Sequence, residues 1–185
     1  WHYFKANLTM KETTIKSEYY YKGTVLNVRK DWVRLEDGRE STRDIVEHSP
    51  CVVVIPFEKP NKIHLVRQFR KPIEKELLEA CAGIIDHGED PLVAAKRELQ
   101  EETGYTAKSW QLLTKAYSSP GFCEEYAYMY LAKDLTPGST NFDHDEHIAL
   151  ETITLDDIDH MIKTNQIEDT KTILMLLMVK NILKK

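Results

Sequence analysis

The chain has 185 residues, 42% apolar and 30% charged, which suits one soluble domain with a small extension and a real core. Its net charge of -5, with no local basic run, repels a phosphate-rich polymer and excludes general nucleic-acid binding. No stretch is apolar enough to span a membrane, and no basic-then-apolar leader opens the chain.

Trp1 stands where Met is expected, so the opening residues, as far as about Ile15, read as incomplete or foreign to the native chain. From about Ser17 to Glu47 the pattern is one of short strands. "TVLNVRKDWVRLE" alternates and is β-branched, and "EDGRE" supplies an Asp-Gly turn between two strands of a hairpin. "CVVVIPF" is an apolar run of strand length, followed by "KIHLVRQF" after a turn and then by "ELLEACAGII". These runs divide the chain into an N-terminal antiparallel β region, residues 1–49, and a main domain, residues 50–185.

The strong helix of the middle region begins at Asp90-Pro91, where Asp90 caps the orphan N–H groups and Pro91 loses nothing at the first helical position. It ends at Gly104, with Leu92, Ala95 and Leu99 as its apolar stripe. Strands return in "SWQLLTKAY" and "EYAYMYLA". The tail carries two helical segments, about Leu155–Thr164 and Thr170–Leu183, the second apolar at helical spacing. Mixed strands with few helices indicate an α+β chain built as an α/β/α sandwich. The 3 cysteines, Cys51, Cys81 and Cys123, are far apart and free of CxxC spacing. They read as reduced thiols of a cytoplasmic protein, outside any disulfide framework or zinc site.

On the middle helix Glu98, Glu101 and Glu102 stand at i, i+3 and i+4, so their carboxylates share one face. Glu89, in the loop before the helix, reaches the same region. An ordinary solvated acidic face would be relieved by its own cations. Here Arg97, at i, i+4 with Glu101, accounts for one carboxylate, and the others have no obvious partner. Hard oxygen donors short of cations suit Mg²⁺ or Mn²⁺, held near octahedral at about 2.1 Å.

The segment "GIIDHGEDPLVAAKRELQEETGY" resembles the Nudix box, Gly-x5-Glu-x7-Arg-Glu-U-x-Glu-Glu-x-Gly-U, where U is bulky and apolar. Gly83, Glu89, Arg97, Glu98, Glu101, Glu102 and Gly104 fall in register, and Leu99 fills the first U. Tyr105 fills the last, where an aliphatic residue is commoner. The resemblance implies a Nudix-type sandwich with a mixed sheet, and a loop–helix–loop that binds divalent metal. Glu98 and Glu102 would be the principal ligands, Glu101 and Glu89 would assist, and the Ala82 carbonyl would complete the site. Glu101 and Arg97 would also serve catalysis.

"RDIVEHSP", "LVRQFRKP", "SSPGFCEE", "DHDEHIAL" and the ending "IEDTKTILMLL" resemble segments of ADP-ribose pyrophosphatases and their nucleoside-diphosphate-sugar relatives. One departure is "EACAG", with Cys81 where the group usually has Pro. The resemblance implies that Arg70 and Arg67 neutralise the phosphates. It implies that Trp32 and Arg43 stack on adenine from the partner subunit of a swapped homodimer with shared active sites. Gly121 would be a further substrate contact, and Glu146 the loop base that activates water. The expected substrate is ADP-ribose or another nucleoside diphosphate sugar, cut to AMP and ribose 5-phosphate with Mg²⁺ as cofactor. The alternatives are a Nudix enzyme for GDP-mannose or a dinucleoside polyphosphate, and a catalytically dead ADP-ribose sensor. The complete set of box acids argues against the sensor.

Overall fold

The computed structural model describes residues 11–139 and 148–183. They fall into two compact units: the chain up to Ser49 with Ser119–Glu125, and Pro50–Ser118 with the chain from Tyr126 onward.

The first unit is an antiparallel sheet of β1 (Thr13–Lys22), β2 (Leu26–Arg34) and β3 (Glu40–His48), in that order. Pairing of Thr13 with Arg34 carries β1 further back than the alternation from Ser17 implies. The Asp-Gly turn forms between β2 and β3. Gly38 takes φ 85, a region open to a residue without Cβ, and the Leu35 N–H bonds the Arg39 carbonyl at 2.8 Å. Residues Ser119–Glu125 join this unit because the Val46 N–H donates to the Phe122 carbonyl at 2.7 Å. β1 is exposed along its whole length, with Tyr19, Tyr20 and Tyr21 all open to solvent.

The second unit holds β4 (Cys51–Glu58), β5 (Lys62–Arg70), β6 (Lys75–Glu79), β7 (Cys81–Ile84), α1 (Pro91–Thr103), β8 (Tyr105–Tyr117) and β9 (Tyr126–Pro137). It ends in β10 (Ile148–Thr154), α2 (Ile158–Lys163) and α3 (Thr170–Leu183). The strands make one mixed sheet in the order β10-β5-β4-β9-β8, with β6 on β5 and β7 on β4. β4 and β9 are parallel and the other pairs antiparallel.

Side-chain alternation explains why β4 is apolar throughout. Cys51, Val53, Ile55 and Phe57 pack on one face with Met175, Leu176 and Val179 of α3 and Ile158 of α2. Val52 and Val54 pack on the other face with Ala94, Ala95 and Leu99 of α1. A strand covered on both faces shows no polar alternation. The result is the α/β/α sandwich expected from the sequence.

"ELLEACAGII" is not one strand. It divides at Ala80, because β6 pairs with β5 and β7 with β4. The Ala80 N–H at the break donates to Thr172 Oγ1 of α3 at 2.8 Å. α2 is also shorter than the apolar spacing suggests. Asp157 accepts from the Thr154 N–H at 2.9 Å and its hydroxyl at 2.7 Å, so those residues form a turn before the helix.

Candidate active site

α1 begins and ends where its capping residues demand. Asp90 Oδ1 accepts from the N–H groups of Leu92 at 2.9 Å and Val93 at 3.3 Å, and Gly104 closes the helix at φ 73. Burial of Ala94, Ala95 and Leu99 then sets the helix rotation, and this rotation turns the acids toward β7.

Arg97 is the hub of the acidic face. Its guanidinium donates to both Glu89 oxygens at 3.2 and 3.0 Å, to Glu98 at 2.6 Å, to Glu101 at 3.1 Å and to the Ile84 carbonyl at 3.1 Å. The sequence reading gave Arg97 only Glu101. Helical spacing cannot report that the loop from Ile84 returns Glu89 to the same guanidinium. The pairing holds Glu89 below the usual carboxylate range, through its hydrogen bonds from Arg97, and raises Arg97 above its ordinary value. Among the described residues, no three His, Cys, Asp or Glu side chains converge as a metal cage. Arg97 supplies the counter-charge instead.

Glu102 is held separately. It is 2% exposed and accepts the Ala82 N–H at 3.1 Å. Cys81 lies beside it, its thiol pushed up first by burial and then by the Glu102 charge. Gly83 is explained by contact: a Cβ there would overlap the Glu98 carboxylate. β7 thus lies along the acids, touching Glu102 at Ala82 and Glu98 at Gly83. In chemical type, though gathered on Arg97 and not as a cage among the described residues, this donor set suits a hard divalent cation. It consists of carboxylate oxygens, with Glu98 packed against Gly83 where a Cβ would displace it.

The two arginines of "LVRQFRKP" part company. Alternation on β5 puts Arg70 on the α1 face with Val66, whereas Arg67 follows Ile63 and Leu65 onto the α3 face. Arg67 forms a two-point pair there with Glu151, which keeps it from the acids. Arg70 makes a two-point pair with Glu79, at 2.7 Å through both Nε and Nη2. It also feels the charge of Glu102.

Trp32 and Arg43 lie on the three-stranded sheet but on opposite faces. Trp32 is opposite Thr42 and Arg43 is opposite Asp31, and cross-strand partners share a face. One adenine therefore cannot stack on both residues of the same sheet. Lys16 lies 4.7 Å over the Trp32 ring, and Arg43 is paired with Glu12. Gly121 is exposed in the loop hydrogen-bonded to β3. Glu146, with His144 and His147, lies outside the described residues.

Sequence reasoning missed Glu79. Its one signal is an acid within the apolar run "LLEACAG", and only the structure shows it fully buried against Arg70.

Comparisons with known proteins agree on the family. The NUDIX domain model matches residues 47–175. The chain is 42% identical to a methanol dehydrogenase activator of Bacillus methanolicus, over 89% of this chain and 90% of that one. It is 37% identical to an ADP-ribose pyrophosphatase of Bacillus subtilis (strain 168), over the same 89% and 90%. A crystal structure titled as an ADP compounds hydrolase superposes with a TM-score of 0.84 at 23% identity, covering 94% of this chain and 95% of the other. That likeness speaks for the fold.

Proposed function

The chain belongs to the NUDIX domain family, and from that premise we propose that it hydrolyses the pyrophosphate of ADP-ribose to AMP and ribose 5-phosphate. The observation that carries this substrate is the 37% identity to an ADP-ribose pyrophosphatase across 89% of the chain. Mg²⁺, or Mn²⁺ in its place, is the proposed cofactor, held by Glu98 and Glu102 with Glu101, Glu89 and the Ala82 carbonyl assisting. A divalent cation bound there supplies Lewis-acid polarisation of the phosphoryl oxygens. Arg97 keeps Glu89, Glu98 and Glu101 gathered, and Arg70 meets the pyrophosphate. Glu146 takes the proton of the attacking water. Arg67 is left out of this scheme, since it belongs to the other face.

A substrate panel with Mg²⁺ tests the reading: ADP-ribose, GDP-mannose, a dinucleoside polyphosphate and a nicotinamide dinucleotide, with chromatographic detection of the nucleoside monophosphate released from each. ADP-ribose should give the highest kcat/KM, and GDP-mannose in that place would overturn the choice. The 42% identity to a methanol dehydrogenase activator favours a second reading, in which hydrolysis regulates a dehydrogenase. Adding the protein to an alcohol dehydrogenase assay separates the two.

The contact between Gly83 and Glu98 gives a sharper test. Gly83→Ala forces the Glu98 carboxylate aside, so the Mg²⁺ concentration for half-maximal rate should rise roughly 10–100-fold. The melting temperature should hold, because the far end of a side chain yields more easily than backbone. An unchanged Mg²⁺ dependence would put Glu98 outside the metal site.

The N-terminal region, residues 1–49, is the proposed dimerisation region of a cytoplasmic homodimer with shared active sites. Support comes from β1, a fully exposed edge strand bearing three neighbouring tyrosines. Trp32 is the proposed adenine contact, with Arg43 and Gly121 as further substrate contacts. Mixing Trp32→Ala with Glu98→Gln protein should restore activity, because one site of each heterodimer is intact. A fully active monomer by light scattering would overturn it.

A further inference from the structure

We propose that Glu79 is a positioning residue for hydrolysis, holding the Arg70 guanidinium so that its outer N–H groups meet the pyrophosphate. The proposal rests on the reading of Arg70 as a phosphate contact.

The geometry is a seat with one open side. Glu79 ends β6, opposite Val66, and Arg70 ends β5 further along the same face. Both Glu79 oxygens accept from Arg70, through Nε and Nη2, at 2.7 Å each. The Glu79 side chain is 2% exposed, whereas that of Arg70 is 40% exposed. A guanidinium has five N–H donors in a rigid fork. Two are spent on Glu79, which leaves both of Nη1 and the second of Nη2 on the side away from it. Glu79 cannot release the arginine when substrate arrives, because a buried carboxylate would then stand unpaired. The outer edge is therefore the one available for phosphate, and its direction is set before binding.

Glu79 also ties Arg70 to the metal acids. It opens the segment Glu79–Gly83, in which the Ala80 N–H is pinned to Thr172, the Ala82 N–H holds Glu102 and Gly83 lies against Glu98. The spacing between the phosphate clamp and the carboxylates is thus set along one short stretch of backbone. Errors of about 1 Å in such spacing are costly to rate. A salt bridge serving stability alone would gain nothing from this placement, and a buried pair is a weak stabiliser in any case.

The experiment uses the full-length enzyme with Mg²⁺ and ADP-ribose, and compares Glu79→Gln, Glu79→Asp, Arg70→Lys and the double variant Glu79→Gln/Arg70→Lys. Glu79→Gln should lower kcat/KM roughly 10–100-fold, with Glu79→Asp in between, and Arg70→Lys should lose a similar amount. The double variant should be no worse than Arg70→Lys, because Glu79 acts through the arginine. A second readout is chemical rescue. Added guanidinium should restore activity to Arg70→Ala, whose Glu79 seat remains, and should fail on Arg70→Ala/Glu79→Gln. A purely structural Glu79 would not govern that rescue, which is compared between proteins shown by circular dichroism to be folded; if Glu79→Gln folds poorly, Glu79→Asp, which keeps the charge, takes its place in the comparison. An impaired Arg70→Lys beside a Glu79→Gln within about threefold of wild type overturns the proposal. So do losses that multiply in the double variant, or rescue that ignores Glu79. An unimpaired Arg70→Lys instead sinks the phosphate reading of Arg70 on which the proposal rests.

Discussion

Glu98→Gln and Glu102→Gln should each lower kcat by more than the roughly 10–100-fold typical of residues that only support a metal ligand. Both changes keep side-chain shape and remove the charge that a hard cation needs. Their effects on folding should differ in kind. Glu98 is one of three acids on Arg97, so its loss leaves Glu89 and Glu101 in place. The melting temperature should then move by less than about 5 °C. Glu102 is buried and accepts the Ala82 N–H, and the amide oxygen of glutamine can keep that bond. Lys96→Ala, on the exposed side of α1, is the control and should leave turnover unchanged. Near-normal kcat in folded Glu98→Gln or Glu102→Gln protein would remove these carboxylates from the metal site.

The same residues indicate how far a sequence can be read. Asp90, Pro91 and Gly104 announce the ends of α1 because capping is local chemistry, and the acid spacing within the helix follows from 3.6 residues per turn. Arg97 marks where that logic stops. Its bonds to Glu89 and Ile84 depend on the path of the loop between β7 and α1, which helical spacing does not encode. Two of the three helix acids, Glu98 and Glu101, share this one arginine, while Glu102 accepts the Ala82 N–H.

Sheet register marks a second boundary. Arg67 and Arg70 look equivalent in "VRQFR", yet an odd separation along a strand sends them to opposite faces. The same parity parts Trp32 from Arg43 once β2 and β3 pair without a shift. Within one strand the alternation was available from the sequence. Across two strands it needed the turn at Gly38 to set which residues stand opposite. Glu79 was hidden for another reason. A buried acid is paired by whatever tertiary contact reaches it, and no local pattern names Arg70 as that partner.

Glu146→Gln should cut kcat by roughly 10²–10⁴, the range for loss of a general base, while KM changes little. Glu146 itself lies outside the described residues, so its role rests on the resemblance of "DHDEHIAL" to the loop that carries the water-activating glutamate. The chain enters β10 at Ile148, opposite Gln68, on the strand that ends at Arg70. A carboxamide keeps the shape of the side chain but has no basic lone pair to take a proton from water. Metal affinity should stay near wild type, and this separates Glu146 from Glu98, whose loss weakens both. Asp143→Asn and Asp145→Asn serve as controls and should lose far less. A Glu146→Gln enzyme within about threefold of wild type would send the search for the base to Glu101, which already stands on Arg97, or to Glu125.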